Sequence, residues 1–401
     1  MKKILFSALL AAVTLVACNK PADEPDKPGT GQVEKPDPEK PDPEKPKPQD
    51  PPYVGSIPNS IVPMDIAKDM GVGWNTTNTL DATGAGGLAA ETSWGNPKVT
   101  KELIKAVADR GFKTLRVPVS WSTNIGDAPN YEINFDWMAR VEEVVKWALE
   151  EDMYVILNMH HDDKYFQPTE SGLASGKKYV ATMWKQIATR FKRYNERLIF
   201  ETLNEPREIG HPLEWQAGFV EGRKRINELH KSAVDAIRRT GGNNRYRLLM
   251  IAPWGASFNA MEGFELPNDK YLMVSLHSYS PYWFCLADFN PEYTLTDGHI
   301  NGLKGEFDGY YNKFIAKGIP IVIGEWGAKT RNYPEGHALA PGNNEKDCIR
   351  HAAIFAKEAK LRGIVPVVWD FGYIDRRSYK WRRPEVIDGI IDAKDLWLED
   401  K

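Results

Sequence analysis

Two glutamates stand at the ends of apolar, β-forming runs, and their chemistry is the first thing the chain offers. Residues 198–206 read LIFETLNEP and carry Glu205; residues 321–327 read IVIGEWG and carry Glu325. Each run delivers a carboxylic acid at its C-terminal tip, next to a polar or aromatic neighbour and a residue that breaks a strand. In a (β/α)8 barrel the chemistry sits at that end of the strands. Two carboxylates facing each other across a cleft are the minimal equipment for cutting a glycosidic bond. One must be a neutral acid and the other an ionised nucleophile, which requires surroundings that push their pKa values apart.

Other side chains at strand ends fit that work. Arg116, at the tip of residues 114–119 (TLRVPV), is placed to keep Glu325 ionised, while apolar residues near Glu205 are expected to hold it protonated. His160 and His161 close the run YVILNMH and precede two aspartates. Consecutive strand residues point to opposite faces, so the pair is expected not to chelate one ion; one ring lines the cleft and no metal is expected. His277 and Tyr279 are two apart and share a face, which aims Tyr279 at the nucleophile. Trp369 ends a further run and is expected to floor a sugar site by stacking. Trp94, Trp254 and Trp283 follow three of the runs and are candidate platforms along a cleft open at both ends.

Eight such runs recur in order, at residues 71–75, 114–119, 154–160, 198–204, 247–253, 272–277, 319–325 and 365–369. They lack polar alternation, as strands buried on both faces do. Helical patterns separate them. Residues 100–111 start on a capping threonine and stop at glycine, and residues 136–149 carry an apolar stripe. Further helices are predicted over 181–194, 221–237, 308–316, 345–361 and 384–391. The connection over 254–270 is short and irregular. The fold class expected is α/β, a single (β/α)8 TIM barrel over residues 53–401.

The N-terminal stretch reads differently. Lys2 and Lys3 precede an apolar run over residues 4–16, a secretory signal over 1–17. The sequence LVAC ending at Cys18 resembles a bacterial lipobox, which implies lipidation of Cys18 and a lipid-anchored place in the cell envelope, at the outer membrane. Residues 18–52 include EKPDP repeated with a five-residue period, a polyproline II spacer reaching on the order of 100 Å at roughly 3.1 Å per residue. Cys285 and Cys348 are then either buried free thiols or one bridge. With 52 Lys plus Arg against 55 Asp plus Glu, net charge −3, the composition offers no signature of a nucleic-acid partner. A monomer without cofactor is expected.

Arg116 in LRVPV, His160, the Asn204-Glu205-Pro206 triplet, His277 with Tyr279, Gly324-Glu325-Trp326 and Trp369 together resemble the active-site set of glycoside hydrolase family 5. The stretches GVGWN at 71–75, NTLDA from Asn78 to Ala82, ETSWGNP at 91–97, NMHHD at 158–162 and FETLNEPR at 200–207 are similar to its fourth subfamily. The resemblance covers about residues 60–395. It implies a retaining endo-β-1,4-glucanase acting on xyloglucan, mixed-linkage glucan and soluble cellulose derivatives. Glu205 would be the acid/base, Glu325 the nucleophile, Asn204 the partner of the sugar 2-hydroxyl, and Asn78 a supporting residue. Thr76-Thr77 stands where the family has Leu-Gly, and Phe371, in a shortened segment after Trp369, where it has Asn. The competing expectations are a β-mannanase on the same fold and a non-catalytic glycan-binding lipoprotein.

Overall fold

The computed structural model describes residues 51–335, 337 and 341–398; the expected signal, Cys18 and most of the spacer lie outside them. Eight strands form one closed barrel: β1 Gly73–Asn75, β2 Thr114–Val117, β3 Tyr154–Asn158, β4 Leu198–Glu201, β5 Leu249–Ile251, β6 Leu272–Ser278, β7 Ile321–Trp326 and β8 Ile364–Val368. Every neighbouring pair runs parallel, and β1 closes the ring by pairing with β8. All eight expected strands are present, most of them ending sooner than their apolar runs.

Helix α1, Pro63–Asp69, lies below the barrel floor, where its Ala67 packs against Tyr154 and other inward-facing strand residues. Around the outside run α2 Lys101–Asp109, α3 Phe135–Glu150, α4 Leu173–Arg190 and α5 Val220–Arg239, then a short α6 Tyr282–Cys285, α7 Asp297–Lys313, α8 Glu345–Leu361 and α9 Pro384–Ile391. Thr100 caps α2 by accepting from the Leu103 amide at 3.1 Å, as its sequence predicts. Helices α4 and α7 begin earlier than expected, because their first turns are glycine-rich and carry little apolar signal. Between β5 and β6 only short 3-10 turns occur, at Trp254–Ala256 and Phe258–Ala260, which matches the irregular connection expected there.

Strand alternation sorts the core into two layers. Leu115, Val117, Val155, Leu157, Leu198 and Phe200 face the helices. Ile156, Ile199, Met250, Met273, Val322 and Val365 fill the barrel floor. One pleat higher, on the same inward faces, stand Arg116, Asn158, Glu201 and Ser275, all fully buried. Cys285 and Cys348 are buried free thiols.

Candidate active site

Arg116 is the hub. Its Nε donates to Glu201 Oε2 at 2.8 Å, Nη1 to Glu325 Oε1 at 2.9 Å and to Asn75 Oδ1 at 3.1 Å, and Nη2 to Asn204 Oδ1 at 2.6 Å. A fully buried guanidinium spends its fork on two carboxylates and two amides, the arrangement that makes burying it tolerable. Glu201, which the sequence reading passed over, therefore shares the cation with Glu325. It also accepts from Asn158 Nδ2 at 3.0 Å and from Ser275 Oγ at 2.5 Å. The signal for it was present: a carboxylate inside an apolar strand run needs a buried partner.

Glu325 reaches the mouth because the β6–β7 register shifts between Leu276 and His277. The bulge lets Gly324 and Glu325 both turn toward the interior. A Cβ on Gly324 would lie 3.3 Å from Arg116 Nε and 3.4 Å from His277 Nε2, so the glycine leaves room for the hub. Tyr279 donates its hydroxyl to Glu325 Oε2 at 3.0 Å, as its shared face with His277 suggests. Burial, then the charge of Glu325, push that phenol far above its ordinary pKa, so it stays a donor.

Glu205 is not on a strand: β4 ends at Glu201, and Glu205 sits in the loop beyond, steadied by the Asn204 amide donating to the Met159 carbonyl at 3.0 Å. Nor are its immediate surroundings apolar. His277 Nδ1 lies 2.8 Å from Glu205 Oε1 and 3.7 Å from Glu325 Oε2. Burial pushes the Glu205 carboxyl up, but the hydrogen bond and charge of His277, with Arg207 behind it, outweigh burial and hold it below its ordinary value. For His277, burial works downward, yet Glu325 and Glu205 hold the imidazole above its ordinary value. The expectation of a carboxyl kept protonated by apolar neighbours is thus corrected: the proton belongs to a Glu205–His277 pair that titrates as a unit. Oxygens of Glu205 and Glu325 and a ring nitrogen of His277 all lie within 4.8 Å of one another.

His160 and His161 are also corrected. Because β3 stops at Asn158, strand alternation does not govern them, and both rings line the cleft, 4.4 Å apart edge to face. Asp81 joins them with ligand-type atoms within 4.8 Å. Its oxygens already accept from the Asn78 and Thr79 amides. Asn158 Nδ2 lies 3.0 Å from His160 Nδ1. Because Asn158 Oδ1 is taken by the Val119 amide, Nδ2 is the donor, and the ring hydrogen goes to Nε2, 3.9 Å from Glu325. Burial, first of all, keeps His160 well below its usual pKa and brings His161 down to about 4.

Glu205, Glu325, Asn204, His277, Tyr279 and the two histidines line a cavity of about 1140 Å³ that also takes in Trp215, Phe371 and Trp369, the last stacked at 6.1 Å from His160. Asn78 stands apart from the carboxylates, in a neighbouring cavity on the other side of Trp369. Trp254, expected as a platform, is 1% exposed. Its ring lies against Gly218 and Gly222, where a Cβ on Gly218 would approach within 2.3 Å, and its Nε1 donates to the Glu214 carbonyl at 2.7 Å. It anchors the loop that presents Trp215, 64% exposed, with the Arg207 guanidinium 4.3 Å over its ring. Sequence reading missed Trp215. Trp94 and Trp283 are exposed, Trp94 lying 5.6 Å from His161.

The profile described as cellulase (glycosyl hydrolase family 5) matches residues 75–375. The chain is 40% identical over 349 residues to endoglucanase B of Clostridium cellulovorans, covering 82% of this chain and 76% of that protein. Among solved structures it is similar to a subfamily 4 endoglucanase of broad specificity from Ruminococcus champanellensis with bound cellotriose. That match has 37% identity and a TM-score of 0.77, covering 82% of this chain and 98% of that one. A xyloglucan-specific endo-β-1,4-glucanase from a metagenomic library, also with cellotriose, gives 36% identity and a TM-score of 0.77, with 82% and 98% covered. Sequence match and barrel-mouth carboxylates agree: this chain belongs to glycosyl hydrolase family 5, the cellulase family.

Proposed function

We propose that the chain is a retaining endo-β-1,4-glucanase with Glu325 as nucleophile and Glu205 as acid/base. The observation that carries this is the carboxylate pair with oxygens within 4.8 Å. That proximity fits the short carboxyl separation of retaining enzymes, about 5–5.5 Å, better than the roughly 6.5–9.5 Å of inverting ones. The two acids also differ in their partners. Glu325 has one oxygen on Arg116 and the other on Tyr279, both donors, so it is presented as a fixed anion. Glu205 faces a titratable imidazole and shares a proton with it.

In the first step a Glu325 oxygen bonds to the anomeric carbon while the glycosidic bond breaks, and the pair delivers its proton through Glu205 to the leaving oxygen. Water then attacks the glycosyl ester, Glu205 takes its proton, and Glu325 is released. Asn204, whose Oδ1 is held by Arg116, keeps its amide hydrogens for the sugar 2-hydroxyl. Trp369 and Trp215 are the stacking surfaces. Xyloglucan and mixed-linkage glucan are the preferred substrates, since a wide cavity admits loose chains; the xyloglucan-specific relative supports the first. Incubation with an activated 2-deoxy-2-fluoro-β-cellobioside should add one fluorocellobiosyl mass to the peptide containing Glu325. An initial product of α configuration would refute the assignment.

The N-terminal residues support a further part of the proposal: residues 1–17 are removed, Cys18 is lipidated, residues 18–52 are a spacer, and the monomeric enzyme is held at the bacterial outer membrane. Cys18→Ser should release the protein from membranes, and deleting the spacer should leave activity on soluble glucan intact. Retention of the Cys18→Ser form at the membrane would contradict anchoring.

A further inference from the structure

The catalytic cavity does not end at Trp369. Trp369 and Phe371 also line a second cavity of about 600 Å³, so the cleft continues past them. The two parts differ in charge. The catalytic part has Glu205, Glu306 and Glu325 on its walls and neither lysine nor arginine. The second part is lined by Lys329, Arg376, Arg377 and Arg382 against only Asp370 and Asp375.

Most of these charges are already matched. Buried Arg376 donates to Asp370 Oδ2 at 2.9 Å and to Thr77 Oγ1 at 2.7 Å. Thus the two departures from the family pattern, at Thr76-Thr77 and after Trp369, meet each other here. Lys329 pairs with Asp288 at 2.8 Å, and Arg382 with Asp375. Asp375 is further occupied by the amides of Arg377 and Ser378, at 3.0 and 2.9 Å. The Arg377 side chain has no ion pair or hydrogen bond among the described residues, and it is exposed. It projects from a tight turn in which the Tyr379 amide returns to the Asp375 carbonyl and Ile374 bridges to Trp381. The turn fixes the backbone that carries this cation, so binding orders only the side chain.

We propose that this second cavity binds a carboxylate-bearing unit of the glycan lying in the cleft, with Arg377 as the charge that recognises it. The inference rests on the glucanase reading of the adjoining cavity. The acidic substituent finds neither lysine nor arginine on the walls at the point of cleavage and is matched on the far side of Trp369, so acidic chains are positioned with their charge away from the scissile bond.

The test is the ratio of kcat/KM on carboxymethylcellulose to that on neutral hydroxyethylcellulose at low ionic strength, with C6-oxidised cellulose as a second acidic polymer. Arg377→Ala should lower the ratio about fivefold, Arg377→Glu should lower it further, and Arg377→Lys should retain most of it. Added salt should bring the parent's ratio toward that of Arg377→Ala. A fall on one acidic polymer alone tells whether a pendant or a backbone carboxylate is read. Calorimetric titration with C6-oxidised cellotriose reads the same site without turnover, and Arg377→Ala should weaken it about fivefold. An unchanged ratio and affinity would overturn the proposal, as would an equal fall in Arg239→Ala, which lies on α5 and tests bulk charge alone. A parent that cuts neither neutral nor acidic cellulose would instead fail the glucanase reading.

Discussion

The floor and the mouth of this barrel are built on the same inward strand faces, one pleat apart, and differ completely in chemistry. On β4 the step is from Ile199 to Glu201, on β3 from Ile156 to Asn158, and on β6 from Met273 to Ser275. The floor is apolar and closed from below by α1. The mouth is a fully buried ion and amide network around Arg116. Each layer depends on the other. The apolar floor excludes water beneath the charges, so their attraction is strong. The buried guanidinium in turn is matched by Glu201, Glu325, Asn75 and Asn204, which is the condition for its charge to persist there. Rigidity and reactivity are therefore separable along a single strand, and a substitution's effect depends on which pleat it touches.

The sharpest break is at Glu325. Glu325→Gln keeps the shape of the side chain but removes the nucleophilic charge and one of the two acceptors that Arg116 and Tyr279 use. Turnover on soluble glucan should fall about 10⁴-fold, some ~5.5 kcal/mol of transition-state stabilisation. The melting temperature should fall as well, because Arg116 loses one of its two buried carboxylate partners. A loss of activity smaller than tenfold would show that the charged layer does not carry the reaction through this residue.

Glu201→Gln and Met250→Ala set the two layers against each other directly. The first strips Arg116 of one buried carboxylate and should cost about 3–5 kcal/mol of stability together with much of the activity. The second opens a cavity in the floor and should cost about 2–5 kcal/mol while kcat, measured well below the transition, stays within about twofold of the parent. Denaturant unfolding and initial rates on the same preparations check both. If Met250→Ala reduced kcat as much as Glu201→Gln, the layers would not be separable.

The floor was legible in the sequence and the mouth only partly. Eight apolar runs mark the strands because both faces of a parallel sheet are covered. Glu325, Arg116, His277 and Tyr279 were readable as the residues at their ends. What escaped depends on contacts between distant elements. Glu205 is paired by His277 from β6, which no local pattern near Glu205 announces. The two histidines share the cleft because β3 ends two residues before them, and strand ends are set by ladder pairing. Trp254 is buried because Gly218 and Gly222, on and beside α5, leave it a slot. Trp215 lies in a loop with no periodicity to read.

The Glu205–His277 pair gives the mouth a pH signature that the floor lacks. A carboxyl held below its ordinary 4.5 stabilises the fold fully above that pH and loses its contribution on acidification through the lowered value. An imidazole held above its ordinary 6.5 contributes fully below that pH and loses its contribution as pH rises through the raised value. The stabilisation is therefore complete only between the two. The melting-temperature difference between the parent and His277→Asn should peak between pH 4.5 and 6.5 and shrink on both sides. A pH-independent difference would show that His277 only packs.

The smallest effect separates two tryptophans of one loop system. Trp254 belongs with the frame: its ring fills the slot over Gly218 and Gly222, and its indole holds the Glu214 carbonyl. Trp254→Ala should therefore cost about 3–5 kcal/mol of stability. Trp215 belongs with the cleft, one face covered by Arg207 and most of the side chain open to solvent. Losing it removes stacking area and leaves the fold alone, so Trp215→Ala should leave the melting temperature within about 1 °C. KM for xyloglucan should rise about threefold to tenfold, the cost of one lost ring contact of about 0.5–1.5 kcal/mol. Rates on an activated cellobioside should barely move, because binding energy from remote units acts only when those units are present. Equal KM values for parent and Trp215→Ala on xyloglucan would place the sugar chain elsewhere in the cavity and leave Trp369 as its main floor.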